Sequence, residues 1–291
     1  DVTNSCGSFS YMDQPGMSVS YELEARNTAG IKTLNYDGGF AKETLSLVAE
    51  NNNEGTNYQS RLNGFNSTSW SNGVYVYVDD GRFGRLASGT PDGPYQDLKI
   101  GIQLSDNDGN ASAFTGLNMR ADTSVDCGAV GVIEKCDAVE LAGNLDVRFG
   151  QLKLSNVFGP ETSPLDMTVS TEYFNGANFV LNTDDNCTTL LDTAPPLIAD
   201  VSSYTDNLAD GDTSPLLNLD ITSGIGNIVF DEAGLGNEGS VIYRYATNTY
   251  LPWLNTENDN DGNYADNPFG KITFGQFRGT DRMIYWREIV R

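Results

Sequence analysis

Apolar and polar residues alternate along much of the chain. In 18-SVSYELEAR-26 four apolar side chains fall on one face, and in 97-DLKIGIQLSD-106 four more alternate with Lys, Gly and Gln. A period of two residues is typical of a β-strand with one buried face. The same reasoning predicts strands over 44-TLSLVAE-50, 74-VYVYV-78, 165-LDMTVSTEYF-174 and 241-VIYRY-245.

Helical patterning is scarce, and Gly-, Asn- and Asp-rich turns separate the predicted strands. Two short segments could be helical, 186-NCTTLLDT-193 and 42-KETLSLVAE-50, but apolar residues alternate in the second, which favours a strand. We therefore predict an all-β protein of tandem immunoglobulin-like β-sandwich domains with very little helix.

The chain length of 291 residues suggests roughly two domains. An acidic, Gly-containing stretch, 140-ELAGN-144, precedes a new series of strands. We place the boundary there, which gives an N-terminal sandwich over residues 1–142 and a C-terminal sandwich over residues 143–291.

One predicted strand changes phase. In 145-LDVRFGQLKL-154 the first apolar residues, Leu145 to Phe149, alternate in one phase, whereas Leu152 and Leu154 hold the other. A β-bulge at Gly150–Gln151 would absorb the extra residue.

The chain ends on a basic, aromatic run, 274-FGQFRGTDRMIYWREIVR-291. Both phases of 283-MIYWREIV-290 are largely apolar, which predicts a strand covered on both sides. We expect its arginines to pair with carboxylates of the chain itself. Arg287 lies among apolar neighbours and should have a buried carboxylate partner.

Composition excludes several functional classes. The chain has 17 Lys and Arg against 40 Asp and Glu, a net charge of -23, which opposes binding to nucleic acids and to anionic membrane surfaces. Histidine is absent, so there is no Ser-His-Asp triad, Cys-His pair or His-ligated zinc. No apolar run approaches the length of a membrane span.

A carboxylate-based polysaccharide hydrolase stays formally open, but no specific carboxylate pair is indicated, and we expect a protein that is not an enzyme.

The four cysteines favour two disulfides and an oxidising compartment. Three pairings are possible. Cys127 and Cys136 bracket a plausible hairpin loop, which leaves Cys6 to pair with Cys187 as a long-range link. The alternative is four buried free thiols.

Two acidic loops, 105-SDNDGNAS-112 and 256-TENDNDGNYADNPFG-270, are candidate calcium sites, because calcium binds hard oxygen ligands at such spacings. The candidate ligands are Asp106, Asp108 and Asn110 in the first loop and Asp259, Asp261, Asn263 and Asp266 in the second. Asp-Gly and Asn-Gly are also ordinary turn residues that need no metal. We favour a plain turn for the first loop and leave both interpretations open for the second, where Lys and Arg are absent nearby.

Aromatic residues are plentiful and could stack on sugars. Tyr75 and Tyr77, however, occupy alternate positions of one strand, which favours cross-strand packing on a sheet face. Trp70, Trp253 and Trp286 are dispersed, and we expect each to lie in a core.

Several runs resemble a bacterial family. They are 10-SYMDQPGMSVSYELEARN-27, 35-NYDGGFAKETLSLVAEN-51, 148-RFGQLKLSNVFGPETSPLDMTVSTEYFNGANFVLNTDDNCT-188 and 274-FGQFRGTDRMIYWREIV-290. From about residue 6 onward, the chain is similar to the C-terminal domain of MSHA-pilus biogenesis proteins of the MshQ type. The most specific runs are R-x-G-x-L-x-L-x-N-x-x-G, F-V-x-N-T-D-D-x-C-T and R-G-x-D-R-x-I-Y-W-R-E.

The resemblance implies a secreted or cell-surface protein of a Gram-negative bacterium, tied to type IV pilus systems. Full-length members often carry a lectin-like concanavalin-type domain upstream, of which this chain shows no trace, so sugar binding by that domain is not carried over. The family supplies no catalytic residues.

We therefore expect a non-enzymatic extracellular structural or assembly module that contributes to adhesion. Its expected partners are pilus or cell-surface protein components, and glycan binding or self-association, including assembly into a filament, stays open. The main alternative is a calcium-dependent glycan-binding adhesin, with calcium as its only cofactor.

Overall fold

The computed structural model describes residues 1–52, 54–105, 114, 116–122, 127, 136–190, 197–216 and 219–275. The calcium candidates Asp106, Asp108 and Asn110 lie outside these residues, as does the C-terminal run from residue 276, with Trp286 and Arg287. The predictions made for those positions stay predictions.

The described part of the chain is almost entirely β-structure. Its strands in chain order are β1 (Val2–Thr3), β2 (Ser10–Tyr11), β3 (Met17–Glu24), β4 (Thr44–Asn51), β5 (Leu62–Asn63), β6 (Val74–Phe83), β7 (Tyr95–Ser105), β8 (Val139–Glu140), β9 (Leu145–Arg148), β10 (Gly150–Leu154), β11 (Val157–Gly159), β12 (Leu165–Phe174), β13 (Phe179–Leu181), β14 (Thr189–Leu190), β15 (Leu197–Ala199), β16 (Pro215–Leu216), β17 (Leu219–Asp220), β18 (Ile225–Phe230), β19 (Gly239–Tyr245) and β20 (Phe269–Phe274). One α-helical turn, α1 (Thr247–Tyr250), and four 3-10 turns, Gly38–Phe40, Gln59–Arg61, Val201–Ser203 and Pro252–Leu254, complete the described elements.

Two pairs of sheets form two sandwiches in tandem. In the N-terminal sandwich, one sheet has the order β1-β3-β6-β5, and the other has the order β2-β9-β7-β4, with β8 also paired to β7. In the C-terminal sandwich, the orders are β10-β12-β18-β16, with β13 paired to β12, and β11-β20-β19-β15. A small ladder joins β14 and β17. The predicted all-β, immunoglobulin-like class is confirmed.

Each sandwich has its own core, filled from both of its sheets. In the N-terminal sandwich, Val19 and Tyr77 of one sheet meet Leu98 and Ile100 of the other. In the C-terminal sandwich, Met167, Val169 and Ile228 meet Val241, Tyr243 and Ile272. The alternating apolar residues that predicted the strands are therefore the ones that face inward.

The segment 42–50 is confirmed as a strand by β4. The helix considered over 186–193 is wrong where the structure describes it, because Thr189 and Leu190 form β14 and pair with β17. Leu190 packs into the C-terminal core from this strand.

The phase change near residue 150 is not a bulge. Strand β9 ends at Arg148 in a sheet of the N-terminal sandwich, and β10 begins at Gly150 in a sheet of the C-terminal sandwich. Leu145 and Phe149 thus face one core and Leu152 the other. The phase changes because the chain passes from one sandwich to the next. A side chain at Gly150 would overlap the ring of Tyr11, so only glycine fits at this crossing.

Strand pairing continues across the predicted boundary at residue 142. Strand β9 pairs with β7 and with β2, which belong to the N-terminal half of the chain. The predicted division into residues 1–142 and 143–291 therefore falls before the last strand of the first sandwich.

Cys6 is disulfide-bonded to Cys187, and Cys127 to Cys136, in the pairing inferred from the sequence. Both disulfides indicate an oxidising, non-cytoplasmic compartment. Among the described residues, no helix has the length and apolar character needed to cross a membrane.

Candidate functional site

The first twelve residues contribute side chains to both sandwiches. Val2 and Met12 are buried in the N-terminal core, whereas Cys6, Phe9 and Tyr11 are buried in the C-terminal core. A single short segment thus links the two cores, and the region where they meet is called here the junction.

A buried hydrogen-bond network lies at the junction. The Tyr11 hydroxyl donates to Asp185 Oδ2 at 2.9 Å and accepts from Asn182 Nδ2 at 2.7 Å. Asp185 is fully buried and also accepts from the backbone N–H groups of Cys187 and Thr188 and from the Thr188 hydroxyl. Burial and the Asp185 carboxylate raise the pKa of Tyr11, so its hydroxyl stays a donor. Four donors satisfy the buried carboxylate without a bonded cation.

Arg148 contributes a buried positive charge to the junction. It lies beside Tyr11 because β2 and β9 run parallel with these residues in register. Its guanidinium bonds to Asp184 Oδ2 and Asp146 Oδ2, each at 2.7 Å, and donates to Asn182 Oδ1. Burial alone would lower the pKa of Arg148, but the two carboxylates more than offset burial and raise it.

Aromatic rings enclose the Arg148 guanidinium on two sides. Its carbon lies 4.8 Å from the centre of the Phe9 ring and 4.7 Å from that of Tyr173. Cation–π attraction strengthens when the cation is removed from water, as it is here with Arg148 only 7% exposed. The ion pairs and rings therefore fix one orientation of the side chain.

Arg85 makes a second link between the sandwiches. It follows β6 of the N-terminal sandwich, and its guanidinium donates to the backbone carbonyls of Gly150, Trp253 and Tyr264. The guanidinium also stacks 4.0 Å above the centre of the Phe149 ring. Burial lowers the pKa of Arg85 to about 10, so it stays charged at neutral pH.

Aromatic packing surrounds these polar links. The Phe149 ring lies 5.2 Å from that of Tyr264 and 6.2 Å from that of Phe179, both edge to face. Phe174, Phe179 and Tyr264 come from the C-terminal half and pack against the N-terminal core. Apolar area and buried polar bonds thus hold the two sandwiches together.

Two of the three runs most specific to the family resemblance meet at this junction, and the third lies outside the described residues. Arg148 and Gly150 belong to the R-x-G run, and Asn182, Asp184 and Asp185 belong to the N-T-D-D-x-C-T run. Sequence reasoning assigned no role to Arg148, Asn182, Asp184 and Asp185, and it placed only a bulge at Gly150. The signal that could have found them was a lone arginine between the inward-facing Val147 and Phe149.

The second acidic loop brings some of its calcium candidates together. Carboxylate oxygens of Asp259, Asp261 and Glu257 all lie within 4.8 Å of one another. Glu257 was not a sequence candidate. Its Oε1 atom is buried and has no hydrogen-bond partner among the described residues.

The remaining candidates of this loop make turn contacts. The Asn263 N–H donates to Asp261 Oδ1 at 2.7 Å, and Asp266 Oδ2 accepts from the Asn258 N–H at 2.8 Å. Asp266 is not a member of the carboxylate group formed with Glu257. The loop therefore combines the turn bonds of the simpler interpretation with a carboxylate cluster of suitable type for calcium.

A cleft of about 250 Å³ opens between the sheets of the N-terminal sandwich. Its walls include Tyr21, Tyr75 and Tyr77, and the Tyr21 and Tyr77 rings stack with centres 4.9 Å apart. Tyr75 and Tyr77 are only 6% and 4% exposed, so packing on the sheet face buries both side chains, as predicted. Burial, with a smaller effect of Asp79, raises the pKa of Tyr77 to about 12.

Comparison with family models matches nearly the whole chain. Residues 1–133 match the model described as DUF6701, third domain, and residues 148–289 match DUF6701, fourth domain. Comparison with curated proteins finds no match. Among solved structures, the crystal structure of the I9-I11 tandem from titin aligns at 7% identity with a TM-score of 0.29. That alignment covers 91% of this chain and 61% of the titin tandem.

Proposed function

Because this chain belongs to the DUF6701 family, of which it comprises the third and fourth domains, we propose that it is a non-enzymatic structural and assembly module of an extracellular protein. The observation that carries the proposal is the junction, where side chains of both sandwiches are buried together. Tyr11, Arg85 and Arg148 each bond across it.

The junction suits a stiff spacer better than a hinged pair of domains. Interfaces between domains of one chain are usually modest and polar, and relative motion is the default expectation. Here a hinge motion would expose Phe149 and strip buried Asp185 of its Tyr11 donor. The Cys6–Cys187 disulfide would oppose the same motion covalently.

We further propose that the module belongs to a protein of the Gram-negative cell surface and contributes to adhesion. The resemblance to MSHA-pilus biogenesis proteins supports pilus or cell-surface components as partners, with self-association as an additional mode. The two disulfides support an oxidising location.

Surface labelling tests this proposal directly. Antibody raised against this chain should label intact cells that produce the full-length protein, and the protein should co-purify with sheared surface filaments. Labelling that requires permeabilised cells would contradict the location. Release of reducing ends from polysaccharides by the purified chain would contradict the non-enzymatic role and favour a carboxylate-based hydrolase.

A second candidate function is a calcium-dependent glycan-binding adhesin. It is favoured by the group of Glu257, Asp259 and Asp261 and by the buried Glu257 Oε1 atom, which has no hydrogen-bond partner among the described residues. A bound calcium ion would satisfy that oxygen and offset the repulsion between the three carboxylates.

A further inference from the structure

We propose that an open polar basin on the C-terminal sandwich binds a neutral pyranose residue of a glycan. The basin has a volume of about 460 Å³, and its walls include Arg244, Asn248, Asn258, Asp266, Asn267 and Phe269. These residues come from β19, α1, β20 and the loop before β20. The basin is distinct from the junction and from the tyrosine-lined cleft.

Bonds within the protein fix two of the three amide side chains of the basin, those of Asn258 and Asn267. Asn267 Oδ1 accepts from the Asn248 N–H at 3.0 Å and from the Thr247 hydroxyl at 3.2 Å. Asn258 Nδ2 donates to the Asn267 carbonyl at 2.8 Å. Within the described residues, these bonds leave Asn267 Nδ2 as an unused donor and Asn258 Oδ1 as an unused acceptor.

A carboxylate beside these amides is fixed in a similar way. Asp266 Oδ2 accepts from the Asn258 N–H at 2.8 Å, while Oδ1 makes no hydrogen bond to any described residue. Hydrogen-bond donors and acceptors of Asn258, Asp266 and Asn267 therefore lie next to one another on side chains that are already held in place before a ligand binds. A ligand that uses them loses less conformational entropy on binding.

Arg244 supplies the strongest donors of the basin. Its guanidinium attracts the Asp200 carboxylate through charge but makes no hydrogen bond or ion pair of 4.0 Å or less with the described part of the chain. It lies 5.1 Å from the centre of the Phe269 ring, its cross-strand neighbour. The stack holds the planar group in place and leaves its N–H donors for a ligand.

The lining matches the chemistry of a pyranose. Adjacent sugar hydroxyls donate and accept together, which fits the alternation of guanidinium, amide and carboxylate groups. The apolar C–H face of the ring can pack on Phe269, which is 40% exposed. The carboxylates of Asp266 and Asp259 in the lining, and the net negative chain, oppose uronate and sulfated sugars.

This inference deepens the second candidate function, since it assigns the ligand class and the residues. Asp259 is shared between the basin and the carboxylate group with Glu257 and Asp261, so calcium at that group would adjoin the sugar. The donors and acceptors described above do not themselves need the ion.

NMR titration of the ¹⁵N-labelled full chain tests the proposal. The probes are maltotriose, mannotriose, β-1,4-galactotriose and chitotriose, with trigalacturonate as the acidic comparison, each in calcium chloride and in EDTA. We expect at least one neutral probe to shift the side-chain amide signals of Asn248, Asn258 and Asn267 saturably. Phe269→Ala and Asn248→Ala, both at exposed positions, should weaken its binding at least about tenfold, and Phe40→Ala, at a more exposed phenylalanine far from the basin in sequence, should not.

Each outcome decides a separate point. Neutral binding that is unchanged in EDTA supports the basin and contradicts a calcium requirement. No saturable shift with any neutral probe, binding of trigalacturonate alone, or binding that is unaffected by Phe269→Ala and Asn248→Ala would overturn the proposal. None of these results affects the structural role, which surface labelling tests.

Discussion

Tyr11 and Asp185 are 174 positions apart in the sequence and share a buried hydrogen bond of 2.9 Å. The bond joins the start of the chain to the loop after β13 in the C-terminal sandwich. Neither group contacts water, so the bond cannot be exchanged for a solvent bond without opening the junction. Tyr11 and Asp185 therefore report directly on whether the two sandwiches are held together.

Tyr11→Phe should destabilise the chain by about 1–3 kcal/mol, because it removes one of the four donors to buried Asp185 and leaves the Asn182 Nδ2 amide without its acceptor. Urea unfolding, followed by circular dichroism, measures the change. Tyr58→Phe is a matched control, since its hydroxyl bonds to Glu54 at the surface. We expect a loss below about 1 kcal/mol for that control. Equal losses of unfolding free energy in both variants would show that burial does not increase the contribution of the Tyr11 hydrogen bond.

The two disulfides should differ in their contribution to stability. Chain entropy predicts about 5 kcal/mol for the Cys6–Cys187 link, which spans 181 positions, and about 2.5 kcal/mol for Cys127–Cys136, which spans 9. The double variants Cys6→Ser/Cys187→Ser and Cys127→Ser/Cys136→Ser, compared in urea, measure both. A larger loss from the second variant would contradict the role of the long-range link.

Calcium should raise the melting temperature if the group at Glu257, Asp259 and Asp261 binds it. A ligand present at 100 times its dissociation constant stabilises the native state by about 2.7 kcal/mol. Scanning fluorimetry in calcium chloride and in EDTA measures the shift. Asp259→Asn/Asp261→Asn should abolish it, whereas Asp106→Asn/Asp108→Asn in the first acidic loop should leave it intact. Identical melting in both buffers would exclude a structural calcium.

Glu50 should make the stability depend on pH. It is 1% exposed, faces Lys99 across the strand pair and has one oxygen without a partner among the described residues. Burial raises the pKa of Glu50 above its usual 4.5, so the ionised form costs stability above the folded-state pKa. That cost disappears as the pH falls through the folded-state pKa toward 4.5.

Glu50→Gln should therefore be more stable than the native chain at pH 7, and the difference should vanish near pH 4. Chemical unfolding of both proteins across this range checks the sign. Glu22→Gln, at an exposed site on β3, controls for the loss of net charge. A variant that loses stability at pH 7 would mean that the Lys99 attraction outweighs the cost of burial.

The sequence carried enough information for the fold class and most long strands. Period-two alternation located β3, β4, β7 and β12, because each places alternate residues in a sandwich core, although β4 also buries Val48 on its other face. The disulfide pairing also followed from spacing. Local patterns succeed here because each strand is amphipathic by itself.

The junction could not be predicted from the sequence. The phase change between Phe149 and Leu152 was visible in the sequence. A bulge and a crossing from one sandwich to the next give the same pattern, however, and only the tertiary packing distinguishes the two. The bond of Tyr11 to Asp185 likewise depends on the parallel pairing of β2 with β9, which no local signal specifies. The polar basin could not be predicted from the sequence for the same reason, since Arg244 and Phe269 are brought together only by the pairing of β19 with β20.

The central claim is that the junction makes the two sandwiches one cooperative unit, and differential scanning calorimetry of the intact chain tests it most directly. Arg85 and the network around Tyr11 bind both halves, so neither should unfold alone. We predict a single transition whose calorimetric and van't Hoff enthalpies agree. Two resolved transitions, or a van't Hoff enthalpy near half of the calorimetric value, would show that the sandwiches unfold independently and would contradict the account.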